Sequence, residues 1–121
     1  MVTESELDAL QREISGAVLR PDQTAFHQAT KIDNGRVQLH PRVIVQVNSV
    51  QDVVIALRFA RRHGLRITTK GGGHSAAGYC LNSGGLVLDL SLMTAISLDS
   101  RRSTVNVQMG ARWHQVYVFL I

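Results

Sequence analysis

Cysteine occurs once in the 121 residues, at Cys80, so an internal disulfide is excluded. A reducing, cytoplasmic setting is the expectation for such a chain. No apolar run reaches the roughly eighteen residues that a membrane-crossing helix needs, so no partner membrane is expected. The opening "MVTESELDAL" is acidic and lacks both a basic n-region and an apolar h-region, so it does not read as a secretion signal. Aromatic residues are scarce, and the basic cluster Arg58, Arg61, Arg62 and Arg66 holds a single one, Phe59. One ring is not a series of stacking platforms for bases, and the net charge of +4 does not by itself point to nucleic acid. The four arginines read instead as the solvent face and last turn of a helix, where cations complement the macrodipole.

At 45% hydrophobic and 18% charged, the chain can build the core of one small domain. Thr3 and Glu6 make a capping-box pattern, with Leu7, Leu10 and Ile14 on one helical face and Gly16 as a stop. Residues 17–41 read as irregular, punctuated by Pro21, Asn34-Gly35 and Pro41. "RVIVQV", 42–47, is β-branched and strand-like. Ser49 and Asp52 then open a helix with the apolar stripe Val50, Val53, Val54, Leu57 and Ala60, closed by Gly64. "LRITT", 65–69, is a second strand, so strand, helix and strand form a βαβ unit with parallel strands. "GLVLDL", 85–90, is a third strand. "AISLD" and "STVNVQM" read as a hairpin around residues 99–102. Trp113, Val116, Tyr117 and Leu120 have helical spacing, although "VYVFLI" is also β-prone.

"ITTKGGGHSAAGYC", 67–80, places three glycines and a histidine just beyond the carboxyl end of a parallel strand, where open α/β sheets bind ligands. Gly71, Gly73 and Ala76 match G-x-G-x-x-A, and Asp89 lies near the place of its acidic partner. That fingerprint needs a helix after the glycines, however, and Gly78, Asn82, Gly84 and Gly85 interrupt one. The segment is also shorter than the roughly 10–12 residues of a crossover. A P-loop fails because Lys70 precedes the glycines. Two readings stay open on residues alone, a tight turn and a nest of backbone N–H groups for an anion such as pyrophosphate. The five histidines show no metal-ligand spacing, and Ser75 has no G-x-S-x-G elbow.

Several spaced pieces together resemble one family: a Pro before a β-run, a capped Arg-rich helix, the G-G-H-S loop, D-L-S-x-M and G-A-x-W. Residues from about Gly16 to Tyr117 resemble the first half of the flavin domain of berberine bridge enzyme-like FAD-linked oxidases, in the vanillyl-alcohol oxidase/PCMH superfamily. The resemblance implies an α+β fold: a PCMH-type FAD-binding subdomain with a βαβ unit followed by antiparallel strands. On this reading residues 1–41 are a helical and irregular lead-in, and 42–121 the α+β part. It implies FAD as cofactor, with Gly71, Gly72, Gly73, Ser75 and Gly78 in the loop around the pyrophosphate and Lys70 near a phosphate. It also implies that His74 is the point of covalent flavin attachment, as in many members. Ser91 and Met93 match a stretch read as structural. The family's second glycine-rich segment, substrate domain and catalytic acid/base do not fit in 121 residues. The expected activity of a complete protein is oxidation of an alcohol, sugar or amine carbon with electrons passed to oxygen. The alternative expectation is a truncated, non-catalytic remnant or interaction module without flavin. Self-association through the open hairpin edge and the apolar "VYVFLI" is also expected.

Overall fold

The computed structural model describes residues 2–30, 40–71 and 82–121. The chain runs α1 (Glu4–Glu13), β1 (Ala17–Leu19), α2 (Thr24–Ala29), β2 (Val43–Gln46), α3 (Val50–Arg62), β3 (Ile67–Lys70), β4 (Leu86–Asp89), β5 (Ile96–Asp99), β6 (Thr104–Val107) and α4 (Trp113–Leu120). The first four strands make one sheet in the order β1-β2-β4-β3, and β5 and β6 make a separate antiparallel pair. The expected α+β class and the hairpin are therefore present, as is the helical reading of the C-terminal segment.

Strand alternation sends side chains to two faces. On one face Val43, Val45, Leu86 and Leu88 meet Leu7 and Leu10 of α1 and Ala56, Phe59 and Ala60 of α3. On the other, Ile44 and Val87 meet Leu19 of β1 and Phe26 and Ala29 of α2. The sheet is thus covered on both sides, which is why β2 and β4 read as continuous apolar runs. β2 and β3 are parallel, as the βαβ reading requires, but they are not neighbours, because β4 lies between them and pairs in parallel with both.

Three expectations need correction. Residues 17–41 are not wholly irregular: β1 pairs antiparallel with β2, and α2 supplies the second core. The signal was hidden because the strand is three residues long and the helix six. Gly16 is not a left-handed helix stop: α1 ends at Glu13 with Ile14 extended, and the Gly16 position is pressed against the Gln46 carbonyl, where a Cβ has no room. The apolar stripe of α3 is turned by about one residue. Val50 and Leu57 are 67% and 41% exposed, whereas Asp52, Ala56, Phe59 and Ala60 are buried. Valines and isoleucine lie on more than one side of this helix, and the buried side carries small alanines and a carboxylate.

Asp52 explains that orientation. It is 2% exposed, and its carboxylate accepts the backbone N–H groups of Ser15 (2.9 Å), Gly16 (2.9 Å) and Asn48 (3.2 Å) and the Ser15 hydroxyl (3.1 Å). Burial pushes this carboxyl up, but the donors from Ser15, Asn48 and Gly16 outweigh it and hold it below its ordinary range. Asp52 therefore ties the α1–β1 turn to the start of α3, where Ser49 caps the helix by accepting the Asp52 N–H. At the far end Gly64 takes φ +62° and stops α3. His63 is the capping residue; its Nδ1 lies 3.2 Å from Glu6 Oε2. Arg58, Arg61 and Arg62 are exposed on α3, as their solvent-face reading requires, whereas Arg66 is exposed but lies beyond the helix, just before β3. No helix among the described residues is long and apolar enough to cross a membrane.

Candidate functional site

Each of the three parallel strands closes on a polar residue: Gln46 ends β2 and Asp89 ends β4, both otherwise apolar, and Lys70 ends β3 after two threonines. The pairing registers Gln46 with Asp89 and Lys70 with Asp89. Registered residues share a face, so the three side chains form one row at the carboxyl edge, two positions beyond Ile44 and Val87. The α2 face of the sheet therefore changes from apolar to charged at this edge.

Asp89 is the centre of the row and is 1% exposed. One oxygen accepts the Ser91 N–H at 2.9 Å. The other accepts Gln46 Nε2 at 3.3 Å and faces Lys70 Nζ at 3.9 Å. Lys70 is itself 9% exposed, so the two opposite charges offset each other in a site that neither would tolerate alone. Ser91 contributes its backbone here and Met93 packs against the larger core, which agrees with a structural reading of D-L-S-x-M.

The row opens into a cleft of about 450 Å³, lined by Gln28, Gln46, Lys70, Asp89, Ser91 and Arg112, among others. Its far wall is the turn from β6 into α4, fixed against the sheet at two points. Gly110 donates its N–H to the Met93 carbonyl at 2.9 Å. A Cβ on Gly71 would lie 2.6 Å from the Met109 carbonyl oxygen, so the first glycine of the run leaves room for the protein's own backbone.

Of the residues singled out in the sequence, Lys70 and Gly71 are placed at this cleft. Gly72, Gly73, His74, Ser75 and Gly78 lie outside the described residues, as does Cys80. Asn82 lies on the other side of that segment and is 4% exposed. Its Nδ2 donates to Thr68 Oγ1 and to the Leu86 carbonyl, both at 3.0 Å, and its Oδ1 accepts the Gly85 N–H at 2.8 Å. Thus Lys70 and Gly71 on one side and Asn82 on the other are held firmly by the sheet. Sequence reasoning missed Gln46, Asn82 and Arg112, and weighed Asp89 only for a fingerprint that was rejected. The available signal was the polar residue closing the apolar runs "VIVQ" and "LVLD", beside the lysine that closes "ITTK".

Residues 41–121 match the FAD binding domain family. The chain is 38% identical over 97 residues to (R)-6-hydroxynicotine oxidase of Paenarthrobacter nicotinovorans, covering 80% of this chain and 21% of that protein. Among solved structures it superposes on the wild-type BBE-like 1 protein of Physcomitrella patens with a TM-score of 0.86 at 27% identity, covering 94% of this chain and 25% of the other. It also superposes on glucooligosaccharide oxidase of Acremonium strictum, described with a 6-S-cysteinyl, 8α-N1-histidyl FAD, with a TM-score of 0.85 at 27% identity and coverage of 94% and 24%. The chain spans about a fifth to a quarter of the length of these relatives. With the matched family model, these likenesses and the parallel-strand edge leading into K-G-G-G-H-S, the chain belongs to the FAD-binding domain family of berberine bridge enzyme-like, FAD-linked oxidases.

Proposed function

We propose that residues 1–121 form part of the FAD-binding domain of an oxidoreductase that oxidises an alcohol, sugar or amine carbon and passes the electrons to oxygen. The observation that carries this reading is the charged row Gln46–Asp89–Lys70, set where the glycine run leaves β3 in a member of the FAD-binding family. The cleft suits the phosphate and polyol portion of such a cofactor. Its lining includes two cations, Lys70 and Arg112, against one carboxylate, with hydrogen-bonding side chains at Gln28 and Gln46. FAD would supply the hydride acceptor. This chain's residues would bind and orient it: Gly72, Gly73 and Ser75 through backbone N–H groups, with Gly78 in the same loop and Lys70 at its base.

His74 is the residue we assign to covalent attachment, through a ring nitrogen to the 8α-methyl carbon of the isoalloxazine. We further read the setting as reducing and cytoplasmic, from the single cysteine, with no nucleic-acid partner. Self-association through α4 is supported by its exposed Trp113, Tyr117, Phe119 and Leu120. The test of the cofactor reading is the flavin absorbance of the protein after purification or after loading with FAD. Flavin that stays attached in acid, and is lost in His74→Ala, supports the bond at that residue. Acid-stable flavin in His74→Ala would place the bond elsewhere. A protein that neither retains nor takes up flavin would favour the non-catalytic remnant.

A further inference from the structure

The cleft holds two cations in different states. Lys70 is buried, and its charge is opposed by Asp89 at 3.9 Å. Withdrawing it toward a ligand would leave a carboxylate that is 1% exposed without its counter-charge. Arg112 is exposed, and its guanidinium has no ion-pair or hydrogen-bond partner among the described residues. Its backbone is nonetheless held in place: the N–H donates to Gln115 Oε1 at 2.7 Å, and the carbonyl accepts the Gln115 and Val116 N–H groups at 2.9 and 3.2 Å. The Gly71–Met109 and Gly110–Met93 contacts then fix this turn over the sheet edge. The result is a guanidinium unpaired among the described residues, on a fixed backbone, at the mouth of a cleft whose described lining carries one positive charge in excess.

We propose that Arg112, and not Lys70, is the side chain of this cleft that pairs with the phosphate oxygens of a pyrophosphate-bearing ligand, while Lys70 stays committed to Asp89. A guanidinium fork matches two phosphate oxygens, which an ammonium cannot do with the same geometry. The inference deepens the FAD reading and rests on it for the identity of the ligand, but the anion-binding claim can be tested separately.

The test titrates a full-length version of this protein with inorganic pyrophosphate, riboflavin and FAD, following amide shifts and heats, for wild type, Arg112→Gln, Arg112→Lys and Arg61→Gln. Arg61→Gln removes the same charge from α3, away from the cleft. Pyrophosphate should bind the wild type and weaken about tenfold or more in Arg112→Gln. Arg112→Lys should recover part of that loss, and Arg61→Gln should change little. Riboflavin, which lacks phosphate, should be insensitive to Arg112→Gln. Equal pyrophosphate affinity in wild type and Arg112→Gln, or no pyrophosphate binding by the wild type at millimolar concentration, overturns the assignment. Arg112-dependent pyrophosphate binding without FAD binding would keep the assignment and refute the FAD reading. FAD binding unchanged by Arg112→Gln would keep the FAD reading and refute the assignment. Unchanged thermal unfolding of each variant excludes misfolding as the cause.

Discussion

The Lys70 ammonium and the Asp89 carboxylate face each other at 3.9 Å where β3 and β4 end, both almost wholly buried. The pair joins two strands at the edge that carries the glycine run. Removing one partner strands the other charge. Asp89→Leu should therefore destabilise the chain by about 3–5 kcal/mol. The double variant Lys70→Met/Asp89→Leu should lose distinctly less than the sum of the two single changes, because no charge is left unpaired. Chemical denaturation of the four proteins measures this. Strict additivity would show that the two groups do not interact.

Asp52 predicts a pH dependence. Its carboxyl titrates below its ordinary range in the folded chain, after the donors from Ser15, Asn48 and Gly16 outweigh burial. The ionised form thus favours folding. This contribution is fully present above the unfolded value of about 3.9 and is lost as pH falls through the lower folded value. Asp52→Ala should cost about 3 kcal/mol at neutral pH, since it leaves buried N–H groups without an acceptor. It should also flatten the acid limb of stability. An unchanged acid limb in Asp52→Ala would assign that dependence to other carboxylates.

The orientation of α3 gives a paired prediction. Phe59 is 5% exposed, so Phe59→Ala should cost about 3–5 kcal/mol. Leu57 is 41% exposed, so Leu57→Ala should stay within about 1 kcal/mol. Thermal melts of the two variants distinguish the observed orientation from the one that periodicity suggests. A larger loss at Leu57 would restore the latter.

Much of the fold was legible because local chemistry and packing agree. Thr3 and Ser49 mark helix starts through acceptors that their own helices use, and Gly64 marks a stop through its positive φ. The hairpin was legible from alternation on either side of Asp99. Other features depend on contacts distant in sequence. β1 exists because β2 offers it an edge, and Asp52 is buried because Ser15 and Gly16, more than thirty residues away, bring donors to it. The insertion of β4 between β2 and β3 is likewise a tertiary choice. At the site, the glycines and Lys70 stood out as residue types, whereas Gln46, Asp89 and Arg112 became a group only through strand register and the β6–α4 turn.

Gly71 separates two roles for glycine in the same run. Its missing side chain accommodates Met109, so Gly71→Ala should destabilise the chain by about 1–3 kcal/mol through that clash. Differential scanning calorimetry without ligand measures the loss. A neutral Gly71→Ala would mean that the β6–α4 turn is not seated on the sheet edge as observed.

The central claim is that the residues after Gly71 bring backbone against FAD. Its most direct test is calorimetric titration of FAD into a full-length version of this protein and into its Gly72→Val variant, with the fold of each checked by circular dichroism. The account predicts saturable one-to-one binding by the wild type and none by a folded Gly72→Val, whose branched side chain would block the approach of the pyrophosphate. Equal FAD affinity in the two proteins would contradict it and reduce the glycine run to a turn.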